Sequence, residues 1–479
     1  MFKKFLKPRN IERFVWVLLL SLVFFINIKL PTLKERAVAA PYKNVEKYYE
    51  FFTSVFEYIS RKYVDKEKAT PDRLIYGAIK GMLSSLEDPH TAFLDEKRYR
   101  DLKTETSGSF GGLGIYIGKR DEWLTVIYPI EGTPAWEVGI KPGDIISEIE
   151  KESTKDMTIE DAVSILRGKP GTTVNVTVVR EGEEKPLRFK IVRDDIKIKS
   201  VKSGIIEDSN IGYIKIRNFS ATTPGEVKDA IVDIKKKKMT SLIVDLRYNP
   251  GGLLDVVCTV ADFFIDDGLI VYTKGRDSGF DSEYRASKEL LIPKYIPIVV
   301  LINNYSASAS EILAGALQDT KRAILLGEKT FGKFSVQQVQ QIDPTEGTAF
   351  RITTAYYYTP NGRSLHEEGI APDVLVKSQG FTSYENKMIS KLLKGKYLSE
   401  YVKKYPDVKS DEKHLSTLIE EIEAHDIDVR KDVLEMFLTR ERNRKKMPPL
   451  YDMTAPDAIQ LKEAINLLKG YKIFKQQPD

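Results

Sequence analysis

Ile298-Val299-Val300-Leu301-Ile302-Asn303-Asn304-Tyr305-Ser306-Ala307-Ser308-Ala309-Ser310-Glu311-Ile312-Leu313 decides the fold class of this chain. Its first five residues are apolar without alternation, which suits a strand covered on both faces. After Tyr305 a helical pattern starts at Ala309, with Ile312, Leu313, Ala316 and Leu317 on one face. Working outward, Leu242-Ile243-Val244-Asp245-Leu246 is a second continuous apolar strand. It runs through Arg247-Tyr248-Asn249-Pro250-Gly251-Gly252 into a helix opened by Leu253-Leu254-Asp255. Gly212 to Ile216 is a further strand and Thr223 to Lys237 a helix. Strand alternating with helix across residues 196–378 predicts a layered α/β core.

The flanks read differently. Residues 41–105 read helical, with Tyr48, Phe51, Phe52, Val55, Phe56 and Ile59 at helical spacing, and they end at the proline break Asp88-Pro89-His90-Thr91. Residues 106–195 form a small β-rich module. Gly108-Ser109-Phe110-Gly111-Gly112-Leu113-Gly114 enters a strand at Ile115, Thr158 to Leu166 reads as a helix, and Thr173 to Val179 alternates like a strand. Residues 379–479 are helical and charged, with a stripe of Ile459, Leu461, Ala464, Ile465 and Leu468.

Composition bounds the function. The 479 residues are 42% hydrophobic and 30% charged with a net charge of only +5, which gives no reason to expect nucleic acid as partner. The single cysteine, Cys258, lies in an apolar run and reads as a buried hydrophobe. The four histidines are scattered without ligand spacing, so neither metal nor cofactor is predicted. At the N-terminus, Lys3, Lys4, Lys7, Arg9 and Arg13 precede the apolar stretch Phe14 to Ile28, 15 residues long. Residues 1–40 therefore predict a signal-anchor segment, with cleavage after Ala37-Val38-Ala39 as the alternative; either sends the remainder outside the cytoplasmic membrane.

The chemistry concentrates in two runs. Three serines interleaved with alanine exceed what one helix cap needs, and small neighbours let a carbonyl approach a hydroxyl nucleophile. Lys333, in Phe331-Gly332-Lys333-Phe334, serves as its base if burial keeps the amine neutral; an exposed turn lysine is the plain alternative. Gln337 follows on a strand-like run. Gly327-Glu328-Lys329-Thr330-Phe331-Gly332-Lys333 approaches a phosphate loop, but Phe334 stands where a hydroxyl is needed and a strand follows where a helix is needed. A triad using Ser364 or His366 is the other rival.

Together these runs resemble the carboxy-terminal processing peptidases, serine proteases with a Ser-Lys arrangement. The likeness extends over residues 45–375. It includes Asp88 to Thr91, Asp245-Leu246-Arg247 through Gly252, Ser306 to Glu311, Thr330 to Lys333 with Gln337, and Tyr358-Thr359-Pro360-Asn361-Gly362-Arg363-Ser364. The resemblance implies a crotonase-like protease core with an inserted PDZ domain. It implies Ser308 as nucleophile, Lys333 as base, Gln337 as third member, and an oxyanion hole from the N–H of Ala309 and of Gly251 or Gly252. It departs at Phe334, where the family has glycine. By the same resemblance, Gly111, Gly112, Leu113, Gly114 and Ile115 receive a substrate's C-terminal carboxylate, Val163 and Leu166 line the side-chain pocket, and Arg167 links PDZ to core. The implied partners are proteins with exposed apolar C-termini, with a homodimer possible. A non-catalytic PDZ scaffold in the cell envelope and an acyl-thioester enzyme are the alternatives.

Overall fold

A computed structural model of the chain describes residues 45–476, except 121, 288–289, 344–346, 379, 409–410, 444–449 and 452–456. The expected anchor lies outside the described residues, among which no helix is long and apolar enough to cross a membrane. The chain divides into two compact units between Ser85 and Leu86. The first holds helices Val45–Lys62 and Pro71–Ser84, the latter opened by a proline that needs no N–H there. Val45–Lys62 leaves Tyr48, Tyr49, Phe51 and Tyr58 exposed.

The second unit begins with β1 (Ala92–Leu94) and α1 (Glu96–Ser107), which is capped by the Asp95 carboxylate on Arg98 N–H. The three residues of β1, inside the expected helical region, carry no period of their own; the strand exists by pairing with strand Thr348–Tyr358, Ala92 against Arg351. The inserted module follows. Strands Ile115–Arg120, Trp123–Pro129, Ile145–Ile149, Thr173–Val179 and Leu187–Val192 form one antiparallel sheet around Leu124, Ile146, Val176 and Val178. Helix Ile159–Leu166 starts on a capping box between Thr158 and Asp161.

The core sheet comprises β2 (Val201–Ile205), β3 (Ile211–Ile216), β4 (Ser241–Asp245), β7 (Ile298–Ile302), β8 (Ile324–Gly327) and β11 (Val374–Leu375), in the order β2-β3-β4-β7-β8-β11. β2 is antiparallel to β3; the other pairings are parallel. Every residue of β4 and β7 is buried, as their unbroken apolar runs predict. The two faces have different covers. Leu242, Val244, Val300 and Ile302 pack toward α2 (Thr223–Lys236), α3 (Leu254–Asp262) and α4 (Ala309–Asp319). Tyr213, Ile243, Val299 and Leu301 meet Leu461, Ala464, Ile465 and Leu468 of the final helix α5 (Ala458–Gln476). The last amphipathic stripe is thus the lid of the core sheet. Arg247 locks it: the guanidinium binds Asp245 at 2.7 and 2.9 Å, the Asp457 carbonyl at 2.6 Å and the Asp457 carboxylate at 3.0 Å.

A second, antiparallel sheet joins β1, β5 (Leu269–Gly275), β6 (Ser282–Arg285), β9 (Ser335–Asp343) and β10 (Thr348–Tyr358), and it delivers the segment after Lys333 to the core. Helices between Ser383 and Arg442 enclose their own core of Leu392, Leu415, Leu418, Leu434 and Leu438.

Candidate active site

Ser308 sits between β7 and α4 with φ 55° and ψ −116°. Side chains with a Cβ avoid this region, at a cost of about 1–3 kcal/mol, so the surroundings must impose it. They do so through the other two serines. Ser306 Oγ donates to the Leu246 carbonyl at 2.9 Å and accepts the Asn303 N–H at 3.0 Å. Ser310 Oγ donates to the Asn249 carbonyl at 2.9 Å, which also accepts the Ala307 N–H at 3.0 Å. Ser306 and Ser310 are fully buried, whereas Ser308 is half-buried and lines a cleft of about 520 Å³. The same cleft is lined by Lys333, Gln337, Ala309, Gly251 and Gly252.

Lys333 reaches the cleft from a loop tied to the Ser308 turn by Glu311. This carboxylate is fully buried and accepts the N–H of Ser308 (2.8 Å), Gly332 (2.7 Å) and Lys333 (2.9 Å) and the Thr330 hydroxyl (2.6 Å). Burial pushes its pKa up against the pull of these donors. Tyr357 adds a second tie: its hydroxyl donates to the Lys333 carbonyl and lies 3.1 Å from that of Ser308. Phe334 is fully buried and stacks on Tyr357 with ring centroids 4.6 Å apart. The glycine that the loop does require is Gly332, at φ 96°, where a Cβ would lie 2.9 Å from the backbone of Glu367 and Gly369. Burial and the charge of Arg351 hold the Lys333 amine below its ordinary pKa, against Asp88, Glu311 and Glu105. No hydrogen bond joins Lys333 Nζ to Ser308 or to Gln337 among the described residues. Gln337 Nε2 donates to Ser335 Oγ at 2.8 Å and to Thr353 Oγ1 at 3.2 Å.

The turn after β4 closes the cleft. Gly251 approaches so near that a Cβ would lie 2.8 Å from that of Ser308. Its N–H is engaged by Asn249 Oδ1 at 2.9 Å. The N–H groups of Gly252 and Ala309 donate to no group among the described residues, and both border the cleft. The segment after Lys333 is strand β9, without the helix a phosphate loop requires. His366 Nδ1 accepts the Phe334 N–H at 3.3 Å. No cluster of three or more His, Cys, Asp or Glu able to hold a metal occurs among the described residues.

In the inserted module, Gly111 and Gly112 belong to strand Ser109–Gly112, which pairs with Asp194–Lys197, and the Gly111 carbonyl accepts the Gly168 N–H at 3.0 Å. Leu113 is buried, and Gly114 carries its carbonyl to Ile130 N–H at 2.8 Å; Ile115 opens the next strand. Leu166 is buried in the module's core and Val163 is half-buried on the same helix. Arg167 lies over the Phe110 ring at 4.5 Å and reaches Asp101 at 3.8 Å. Asp101 belongs to α1, whose Tyr99, Leu102, Lys103, Glu105 and Thr106 wall the cleft.

Residues 210–376 match the model of peptidase family S41, residues 125–180 that of a PDZ domain, and residues 30–98 that of the activating protease CtpB N-terminal domain. A carboxy-terminal-processing protease of Bartonella bacilliformis is 41% identical over 359 residues, covering 74% of this chain and 80% of that protein. The chain belongs to the carboxy-terminal processing proteases of family S41. The carboxy-terminal processing protease CtpA of Bacillus subtilis is 37% identical over 326 residues, 68% of each chain. Among solved structures, the photosystem II D1 C-terminal processing protease shares 29% identity with a TM-score of 0.40, covering 68% of this chain and 92% of that one.

As a processing protease it is a serine-type peptidase with a PDZ domain, and protein is its substrate class. That settles the choice against a scaffold without activity and against thioester chemistry. Sequence reasoning gave no role to Glu311, Tyr357, Asn249 or Thr353. Only Glu311 carried a signal, an acid placed three residues after Ser308 as in a capping box.

Proposed function

We propose that this processing protease is an extracytoplasmic endopeptidase that engages proteins by exposed apolar C-termini and cleaves them through Ser308, Lys333 and Gln337. The observation that carries the reading is one cleft lined by both a half-buried hydroxyl on strained backbone and a lysine whose amine burial biases toward the neutral form. Neutral Lys333 takes the Ser308 proton as Oγ attacks the scissile carbonyl. The N–H groups of Ala309 and Gly252 donate to the developing oxyanion; Gly251 instead holds the turn by donating its N–H to Asn249. The Lys333 ammonium returns the proton to the leaving amine. Water, deprotonated by the same lysine, then attacks the Ser308 ester, releasing the new C-terminus and restoring the hydroxyl. Lys333 and Ser308 are not hydrogen-bonded in the resting geometry, and substrate binding brings them together.

The PDZ domain supplies selection. Backbone N–H groups of Gly111 to Ile115 receive the terminal carboxylate, and Val163 lines the side-chain pocket over Leu166. Arg167 carries occupancy of that pocket to the cleft through Asp101 on α1. Basic residues before Phe14–Ile28 support residence at the membrane with the protease outside, and the exposed aromatic stripe of Val45–Lys62 supports a homodimer.

Ser308→Ala tests the assignment on a folded protein carrying an apolar C-terminal tail. Cleavage is expected to vanish while tail binding persists. Cleavage at the wild-type rate by that variant overturns the mechanism.

A further inference from the structure

Gln337 has a side-chain amide whose two ends differ only in chemistry, so its neighbours decide which end faces Lys333. Those neighbours form a chain of hydroxyls ending on a carboxylate. Thr353 Oγ1 donates to Asp88 Oδ2 at 2.6 Å, and Thr91 Oγ1 donates to the same oxygen at 2.6 Å. The His90 N–H donates to Asp88 Oδ1 at 2.9 Å. Although burial opposes it, these donors hold the Asp88 carboxyl below its ordinary pKa. An ionised carboxylate only accepts. The Thr353 proton therefore points at Asp88, and the oxygen left over can only accept from Gln337. Ser335 Oγ, at 2.8 Å, takes the second amide hydrogen. Both Nε2 hydrogens are committed, and Oε1 is the free end.

We infer that Asp88 and Thr353 are positioning residues for peptide cleavage, orienting Gln337 so that its Oε1 accepts a hydrogen from Lys333 Nζ and aims the amine's lone pair at Ser308. The inference rests on the proposed roles of Lys333 and Gln337. It also gives Asp88-Pro89-His90-Thr91 a task. The turn is pinned by Arg351 Nε on the His90 carbonyl at 2.8 Å and by the Thr353 N–H on Thr91 Oγ1 at 3.1 Å. β1, which follows it directly, is registered on β10 at Ala92 against Arg351, so the carboxylate arrives beside Thr353 by strand pairing. The charged or titratable groups around it are His90, Arg351, Lys333 and, lining the neighbouring cavity, Glu87, Arg276, Asp277, His366 and Glu367.

A double-mutant cycle on the full chain tests it, read as kcat and KM on a tailed protein substrate. Thr353→Val keeps the shape and removes the hydroxyl; kcat is expected to fall about tenfold with KM unchanged, the scale of one hydrogen bond. Thr353→Ser restores the rate. In a Gln337→Ala background, Thr353→Val has no further effect, because its influence passes through the amide. Additive losses, a loss confined to KM, or an unchanged kcat in Thr353→Val while Gln337→Ala is impaired would each overturn the inference. Wild-type kcat in Gln337→Ala instead removes the role of Gln337 on which it rests. A thermal melt of each variant separates these outcomes from misfolding.

Discussion

Glu311 and Lys333 are joined by a hydrogen bond from the lysine N–H to the buried carboxylate at 2.9 Å, and the same oxygen accepts the Ser308 N–H at 2.8 Å. One side chain thus fixes the spacing of two segments that the sequence separates. Glu311→Ala strands several buried N–H groups, each costing about 1–3 kcal/mol. We expect a loss of about 3 kcal/mol or more in urea unfolding, and a fall in kcat larger than any change in KM.

Lys333 predicts the pH profile. The base works neutral, so kcat/KM falls as pH drops through its pKa. Arg351 lowers that pKa by charge repulsion. In Arg351→Met the pKa rises and the acidic limb moves to higher pH. An unmoved or oppositely moved limb argues that a different group titrates.

The three serines separate cleanly. Ser306 and Ser310 each donate to a buried backbone carbonyl, so their alanine variants should lose about 1–2 kcal/mol of stability. Ser308 donates to neither, and its variant should lose cleavage at unchanged or raised melting temperature. Activity and calorimetry on all three variants check the pattern. A dead Ser306→Ala with normal stability would reassign the nucleophile.

The Asp245–Arg247 pair ties stability to acid. Burial opposes ionisation of Asp245, but Arg247 and Lys215 outweigh it and hold its pKa at about 2. A depressed carboxylate stabilises the fold above the unfolded pKa of about 4 and loses that contribution as pH falls toward the folded value. Unfolding free energy should therefore decline between about pH 4 and 2, and Asp245→Asn should flatten the decline. Leu461→Ala, which empties the α5 side of the same sheet, should cost about 2–4 kcal/mol at neutral pH.

Arg167 and Asp101 are 34% and 56% exposed, so their ion pair adds little stability, about 0–1 kcal/mol. Arg167→Ala should melt like the parent. Its rate on a substrate with an apolar tail should fall toward its rate on a tailless one, measured side by side. Equal selectivity in parent and variant would remove Arg167 from the coupling.

The core was legible because burial on both faces writes itself into sequence: β4 and β7 are unbroken apolar runs, and the helices behind them keep the 3.6-residue period. The α5 stripe was legible for the same reason. That Ser308, Lys333 and Gln337 line one cleft was legible only jointly, through their resemblance to a family, since a serine before a helix and a lysine after a glycine are each commonplace.

The linear chain carries the set of elements and the residue types offered for chemistry. Local periodicity and turn chemistry act over a few residues, and those signals survive in one dimension. Which partners they meet follows from the folded packing. Asp88 reaches Thr353 because β1 pairs with β10, Glu311 unites two loops because it is buried between them, and α5 covers the sheet because its apolar stripe packs on the face of β4 and β7 that α2, α3 and α4 leave open. Long-range contacts of this kind depend on register and packing, which no local pattern encodes. The run Ser306–Glu311 and Lys333 thus offered candidate groups, and the fold brought them to one cleft.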